Sequence, residues 1–332
     1  MQSAPAELVG AAELARVALQ VTSLARRVRL ARAITPTNWD AEVARLVASR
    51  RAGARVAPAF TYAPDDGADA IAAELDALAC AFTGRGGPFA AIAARALEIA
   101  LEARMAAAVG TPALRPLAAA RYRSSREEDA RARRWAKAHG AAREDDETPT
   151  SRSDDERDPA SLVSAMRRAV GERRLPVRVL IQPGMAARAA AGDGVVLVGA
   201  GQRLRPRDVA RTVTHELDGH VAPALARSAR GGALAFRLAG DSDREEGTAL
   251  LCEQRAGFFD PVRRRELAFR HVAACLTHAG APLHDVADEL VALGAEALVS
   301  VTIAARAARG GGLGRERVYL PCYWRAAAAE AR

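Results

Sequence analysis

The spacing of apolar residues predicts helices along most of the chain. In residues 5–34, Leu19 and Leu24 belong to a set of apolar positions that recur at helical spacing. Pro36 and Asn38 then mark a stop and a new start, because proline blocks helix continuation and asparagine can cap a helix. The same pattern predicts further helices over residues 39–51, 68–82, 87–109 and 161–170.

Two short apolar runs predict strands in the second half of the chain. Residues 176–181 and 194–199 are rich in valine, leucine and isoleucine, and glycines bound the second run. Pro206 and Asp208 then open another helix. This order predicts an α+β, mainly helical fold with a small β-sheet or hairpin beside that helix. The strand at 194–199 is the one that we expect to pair with an extended peptide.

Residues 126–160 differ from the rest of the chain. Between residues 141 and 160 there are eight acidic and three basic residues and almost no large apolar ones. Such a composition is typical of a solvated segment, because it offers little apolar surface to bury. We therefore divide the chain into three regions: an N-terminal helical region at 1–125 that packs on the catalytic part, a charged linker or mobile insertion at 126–160, and the catalytic region at 161–332.

Composition narrows the class of protein. The 332 residues carry a formal net charge of +8, but Lys137 is the one lysine among 48 basic residues. This arginine bias, together with abundant alanine, is typical of a GC-rich coding sequence, and the basic residues are dispersed, so we do not expect nucleic acid as a partner. The four cysteines form no C-x-x-C pair, and no uncharged run reaches membrane-spanning length. These features predict a cytoplasmic protein that has no membrane partner.

The segment from His215 to His220 reads His-Glu-x-x-x-His, and Glu245 and Glu246 follow further along the chain. A catalytic zinc needs three protein ligands and one open position, and two histidines and a glutamate supply that set. Glu216, next to the first histidine, is then placed to take a proton from the attacking water. The motif therefore predicts a zinc-dependent hydrolase.

The spacing of the two histidines requires an irregular helix. Residues five apart are separated by roughly 140° around a straight α-helix, so His215 and His220 would point to different sides. A π-bulge adds one residue to a helical turn and would align them. Gly219 lies where we expect extra backbone freedom to help.

These residues resemble the QEGLA-motif family of bacterial flavohemoglobin expression-modulating proteins, whose eukaryotic relatives include the microtubule-associated tyrosine carboxypeptidase. Glu245-Glu246-Gly247-Thr248-Ala249 is similar to the family's second motif, although Thr248 replaces the usual leucine. Four further stretches are similar to family motifs: Asn38 with 60–64, Gly110-Thr111, 306–310 and 317–320.

The resemblance implies a zincin-like metallopeptidase fold for the chain. It implies that Zn²⁺ is held by His215, His220 and Glu246, with Glu216 as the general base. It also favours carboxypeptidase-like action on a peptide or protein substrate.

Three further side chains are candidates for the same reaction. Arg306 and Arg309 lie three residues apart, on one helix face, and could bind a peptide C-terminal carboxylate. Tyr319 could donate a hydrogen bond to the oxyanion. Each of the three also has a structural reading, as a solvated helix face for the arginines and a core-lining residue for the tyrosine.

Two alternatives stay open. A non-catalytic regulatory or peptide-binding protein could use zinc structurally on the same scaffold, although a structural site has no need of Glu216. A nucleic-acid binder is supported by charge alone. We read His271 and His278 as structural, because the sequence shows no acidic partner of zinc-site type for them.

Overall fold

The structure is a computed structural model that describes residues 6–65, 67–143, 150–185, 187–192, 194–231 and 235–332. It is mainly helical, with two small sheets. The helices are α1 (Ala6–Arg27), α2 (Leu30–Ala33), α3 (Trp39–Arg51), α4 (Ala68–Ala81), α5 (Gly87–Ala107), α6 (Leu114–Arg121), α7 (Arg126–His139), α8 (Leu162–Glu172), α9 (Pro206–Glu216), α10 (Ala222–Ala229), α11 (Asp241–Arg255), α12 (Pro261–His278), α13 (Leu283–Ala292), α14 (Ala297–Ala308) and α15 (Tyr319–Glu330). The strands are β1 (Ser151–Arg152), β2 (Arg178–Gln182), β3 (Ala189–Gly192), β4 (Val195–Gly199) and β5 (Arg203–Leu204).

Small side chains build the N-terminal helical layer. Helices α1, α4 and α5 pack together around Val21, Leu75 and Ile99, with buried alanines between them. Alanine allows close helix approach, which suits a chain with so few aromatic residues. The structure divides the helix predicted over 5–34 into two: α1 ends at Arg27 and α2 starts at Leu30.

Part of the predicted charged linker is an ordered helix. Ser125 and Glu128 form a reciprocal capping box at the start of α7. Ala132 and Ala136 are fully buried, and α7 packs on α12. The prediction of a linker or mobile insertion is therefore wrong for α7, because two alanines on one helix face give the charged sequence an apolar side. Residues 144–149 lie outside the described residues.

The larger sheet has the strand order β2-β4-β3. Strand β4 pairs in parallel with β2 and antiparallel with β3, so it has a neighbour on both sides. The strand prediction at 194–199 is confirmed, but its expected pairing with a peptide is wrong, since its hydrogen-bonding edges are already used. Strand β3 lies at the edge instead, and its alanines and glycine gave the sequence no β signal.

Helix α9 runs past this sheet and continues through an irregular turn into α10. Pro206 occupies the first turn of α9, where its missing N–H needs no partner. Val209 and Leu217 are buried against the sheet and α8. A π-helical turn follows over Leu217–Val221. In the described part of the chain, no helix is long and apolar enough to cross a membrane.

Candidate metal centre

The π-helical turn brings the two motif histidines together. It lies between His215, in the last turn of α9, and the start of α10, and it contains His220. The predicted π-bulge is therefore confirmed. The two Nε2 atoms are 3.4 Å apart. Oε2 of Glu246, on α11, lies 3.5 Å from Nε2 of His215 and 3.8 Å from Nε2 of His220.

These distances suit one tetrahedral ion. Zinc bonds of about 2.0–2.1 Å to nitrogen and oxygen place neighbouring ligand atoms about 3.3–3.4 Å apart. The three separations need shifts of only a few tenths of an ångström to reach that geometry. The structure thus brings together the three residues that the sequence predicted as ligands.

Two glycines allow the helices that carry these ligands to approach closely. A Cβ added to Gly219 would lie 2.2 Å from Cβ of Ala249 on α11. A Cβ on Gly247 would lie 2.5 Å from the backbone of Cys322 on α15. Gly219 does not adopt a left-handed φ, so its role is close packing and not the backbone freedom expected from the sequence.

Glu253 orients the first histidine. It lies seven residues after Glu246, on the same face of α11, and its Oε1 accepts from Nδ1 of His215 at 2.7 Å. Nε and Nη2 of Arg263 donate to the two oxygens of Glu253 at 2.7 and 2.8 Å. This bidentate pair fixes the carboxylate, which in turn directs Nε2 of His215 towards the ion position. Sequence reasoning missed both residues, although the seven-residue spacing was a signal.

Charge is concentrated around the three ligands. Burial lowers the pKa of His215, but its hydrogen bonds to Glu246 and Glu253 more than offset this and raise it to about 10. Burial raises the pKa of Glu246, yet the hydrogen bond to His215 and the charge of Arg315 bring it to about 2. Nη2 of Arg315 also donates to Oε1 of Glu246 at 2.9 Å. A cation is thus favoured between these groups, and a metal ion would replace the proton of His215.

Glu245 has a different environment from Glu246. Nη1 of Arg227 donates to it at 2.8 Å, and Arg237 also pairs with it. Its Oε2 is 4.0 Å from Nδ1 of His220. Glu245 therefore lies on the Nδ1 side of His220, and two arginines neutralise its charge.

An open cleft of about 1010 Å³ gives access to the centre. Glu216 and Tyr319 line it together with His215 and His220. Glu216 is 6% exposed, and burial raises the pKa of its carboxyl, while the backbone of Ala191 hydrogen-bonds to it. Burial and the nearby charge of Glu246 raise the pKa of Tyr319, which keeps its hydroxyl protonated at neutral pH.

The two candidate arginines occupy different environments. Arg306 lines the cleft, and its Nε donates to Glu316 at 2.9 Å. Arg309 is 7% exposed, lies over the ring of Trp39, and donates from Nε to the carbonyl of Arg306. Nη2 of Arg309 nevertheless lies 3.6 Å from the same oxygen of Glu316, so the two guanidinium groups share this carboxylate while Arg306 alone of the two lines the cleft.

Other stretches that resemble family motifs are joined to one another by hydrogen bonds. The Asn38 side chain accepts from the N–H of Thr61 at 2.9 Å instead of capping α3. The hydroxyl of Tyr62 accepts from the N–H of Gly310 at 2.7 Å, and the N–H of Gly110 donates to the carbonyl of Gly310. The two bonds to Gly310 hold the chain between α14 and α15, and Arg306 and Tyr319 in these flanking helices line the cleft.

A second group of metal-ligand side chains lies on another face of α12. Oδ1 of Asp129 is 2.9 Å from Nε2 of His271 and 3.3 Å from Sγ of Cys275. The prediction that no acidic residue accompanies His271 is wrong, because α7 supplies one. Nη2 of Arg317 lies 3.7 Å from the same carboxylate, and burial raises the pKa of the Cys275 thiol to about 12. We read this group as a neutralised hydrogen-bonded cluster.

Two imidazoles and a carboxylate that converge beside a buried glutamate in an open cleft define a candidate hydrolase centre. The family model described as microtubule-associated tyrosine carboxypeptidase matches residues 49–328, so the chain belongs to that family. Searches of the curated proteins and of the solved structures find no significant match.

Proposed function

We propose that this protein is a zinc-dependent peptidase with carboxypeptidase-like action on a peptide or protein substrate. The observation that carries the proposal is the convergence of His215, His220 and Glu246 through the π-helical turn. Membership of a carboxypeptidase family supports the reaction class. Two nitrogens and one carboxylate oxygen are a ligand set that catalytic zinc sites use.

A zinc ion held by these residues would supply a Lewis acid that activates water and polarises the peptide carbonyl. Glu216 supplies the proton acceptor. Its raised pKa makes it a stronger base than an exposed glutamate, and it can later donate the same proton to the leaving amine. Tyr319 keeps its proton and can donate a hydrogen bond to the oxyanion.

The edge strand β3 is our candidate for substrate alignment. Ala189, Ala190 and Ala191 line the cleft, and one side of β3 has no strand neighbour in the described sheet. An extended peptide can add to such an edge through backbone hydrogen bonds. The small alanine side chains of β3 leave room for the peptide. A helix that carries two ligands beside a short sheet edge also supports a zincin-like arrangement.

Glu216→Gln tests the proposal most directly. We expect the variant to bind one zinc per chain, as the wild type does, and to lose peptide cleavage, because glutamine cannot accept the proton. His215→Ala should lose both zinc and cleavage. Glu172→Gln, at an exposed position at the end of α8, is the matched control and should keep both.

Zinc content by elemental analysis and cleavage of a peptide library by mass spectrometry give the two readouts. Cleavage by Glu216→Gln at the wild-type rate would refute the base assignment. Wild-type protein that binds zinc through His215 but cleaves nothing would favour the non-catalytic, peptide-binding alternative.

A further inference from the structure

The cleft wall carries an arginine that the sequence did not single out. Arg270 lies on α12 and lines the same cleft as His215 and Glu216. It is seven residues, or two helical turns, after Arg263, which holds Glu253 behind the candidate metal position. Two turns correspond to a rise of roughly 10 Å. Arg270 therefore marks a second position along the cleft.

The charge of Arg270 is only partly neutralised. Its ion-pair partner among the described residues is Glu266. The same carboxylate accepts from Nη1 of Arg263 at 2.8 Å and lies 3.8 Å from Nη2 of Arg211. Arg263 also pairs with Glu253, and Arg211 also pairs with Asp208, whereas Glu266 is the carboxylate that pairs with Arg270.

Neighbouring charge adds to this imbalance. Burial lowers the pKa of Arg270 to about 10; Glu266 opposes the shift, and the positive charge of Arg306 adds to it. Arg306 reaches the cleft from α14, which packs against α12. A partly buried cluster of like charges is stabilised by an anion, and guanidinium groups match the planar geometry of a carboxylate.

We propose that Arg270, with Arg306 beside it, binds the C-terminal carboxylate of the peptide substrate. This inference rests on the proposed peptidase function and replaces Arg309 with Arg270 in the candidate pair. An extended peptide spans about 3.3–3.6 Å per residue. A rise of roughly 10 Å corresponds to about three extended residues, so the carboxylate lies one to three residues beyond the cleaved bond.

The test compares one peptide with a free C-terminal carboxylate and the same peptide as its C-terminal amide. We expect the wild type to favour the acid by about 10-fold or more in kcat/KM, mainly through KM, since charge-assisted hydrogen bonds contribute about 1.5–3 kcal/mol. Arg270→Gln should remove this preference. Arg270→Lys should restore only part of it, because lysine lacks the planar fork.

Arg265→Gln is the matched control. It makes the same charge change on the same helix, at a side chain that donates to the carbonyl of Ala142 and does not line the cleft. It should keep the preference for the acid. Circular dichroism and zinc content of each variant separate a folding defect from loss of the carboxylate site.

Binding to the Glu216→Gln protein gives a readout without turnover. A fluorescent form of each peptide, followed by anisotropy, should bind more tightly as the acid, and adding Arg270→Gln should equalise the two. Equal cleavage and equal binding of acid and amide by otherwise active wild type would overturn the inference and leave the peptidase function standing. An amide peptide with an internal aspartate that binds as tightly as the acid would also overturn it.

Peptide binding without cleavage would separate the carboxylate site from the peptidase function. If no peptide is cleaved but the acid still binds more tightly in an Arg270-dependent way, the carboxylate site stands and the peptidase function fails. Mass spectrometry of the products reports the number of residues released. Release of fragments longer than three residues would contradict the placement of the carboxylate.

Discussion

Gly219→Ala is the sharpest structural test of the candidate metal centre. The new Cβ would lie 2.2 Å from Cβ of Ala249 and 2.5 Å from its Cα. Carbon atoms in ordinary contact are about 3.5–4.0 Å apart, so the π-helical turn and α11 would have to separate by about 1.5 Å. Backbone atoms form part of this contact, and a rotamer change cannot relieve it.

This separation acts directly on the ligands. His220 follows Gly219, and Glu246 precedes Ala249 by one helical turn, so the same movement separates the two ligand atoms. They already lie 3.8 Å apart. Two ligands of one zinc ion cannot be more than about 4.2 Å apart at bond lengths of about 2.1 Å. We therefore expect zinc affinity to fall by about 100-fold or more, the upper range for changes next to a metal site.

Zinc affinity is measured by competition with a chromophoric chelator, and stability by thermal unfolding of the zinc-free protein. Overpacking should lower the free energy of unfolding by about 1–3 kcal/mol. Gly171→Ala is the matched control, since a Cβ there meets nothing within 4 Å. That helical position should be stabilised by about 0.5–1 kcal/mol with unchanged zinc affinity. Wild-type zinc affinity in Gly219→Ala would refute the close-approach argument.

Four further outcomes follow from the structure. Zinc binding at pH 7.5 should release at least one proton, because the pKa of metal-free His215 is about 10, its ligand form is neutral, and a zinc-bound water would add to the release; calorimetry in buffers of different ionisation enthalpy measures it, and no release would contradict the charge assignment. Glu253→Gln should weaken zinc binding about 10- to 100-fold in the chelator assay; unchanged affinity would exclude it as the orienting group. Asp129→Asn should destabilise the fold by about 1–3 kcal/mol and leave zinc at one per chain; two zinc ions in the wild type would show a second metal site. Tyr62→Phe should lower stability by about 1 kcal/mol and speed amide exchange at Gly310; unchanged exchange would mean that this bond does not hold the loop.

Local sequence patterns predicted the elements that depend on neighbouring residues. The strand at 176–181 and the helix from Pro206 are present, because β-branched runs and proline at the first helical turn act through their own backbone. The π-bulge was also predictable, since five-residue spacing leaves few ways to align two histidines.

The sequence did not predict strand β3 or helix α7, and the two errors have a common physical cause. Strand β3 consists of alanines and glycine, and its pairing comes from β4 and not from its own propensity. Helix α7 looked like a solvated segment because its two buried alanines are hidden in a charged sequence. In both cases a partner distant in the chain decides the structure.

The sequence by itself predicted the two candidate histidine ligands, the irregular turn and the candidate base, because these are properties of residues close together along one helix. Only the tertiary structure decided that Glu253 and Arg263 stand behind His215 and that Arg270, and not Arg309, lines the cleft together with Arg306. The positions of these side chains depend on which faces of α11, α12 and α14 meet. Helix packing sets those faces through contacts between residues far apart in the chain.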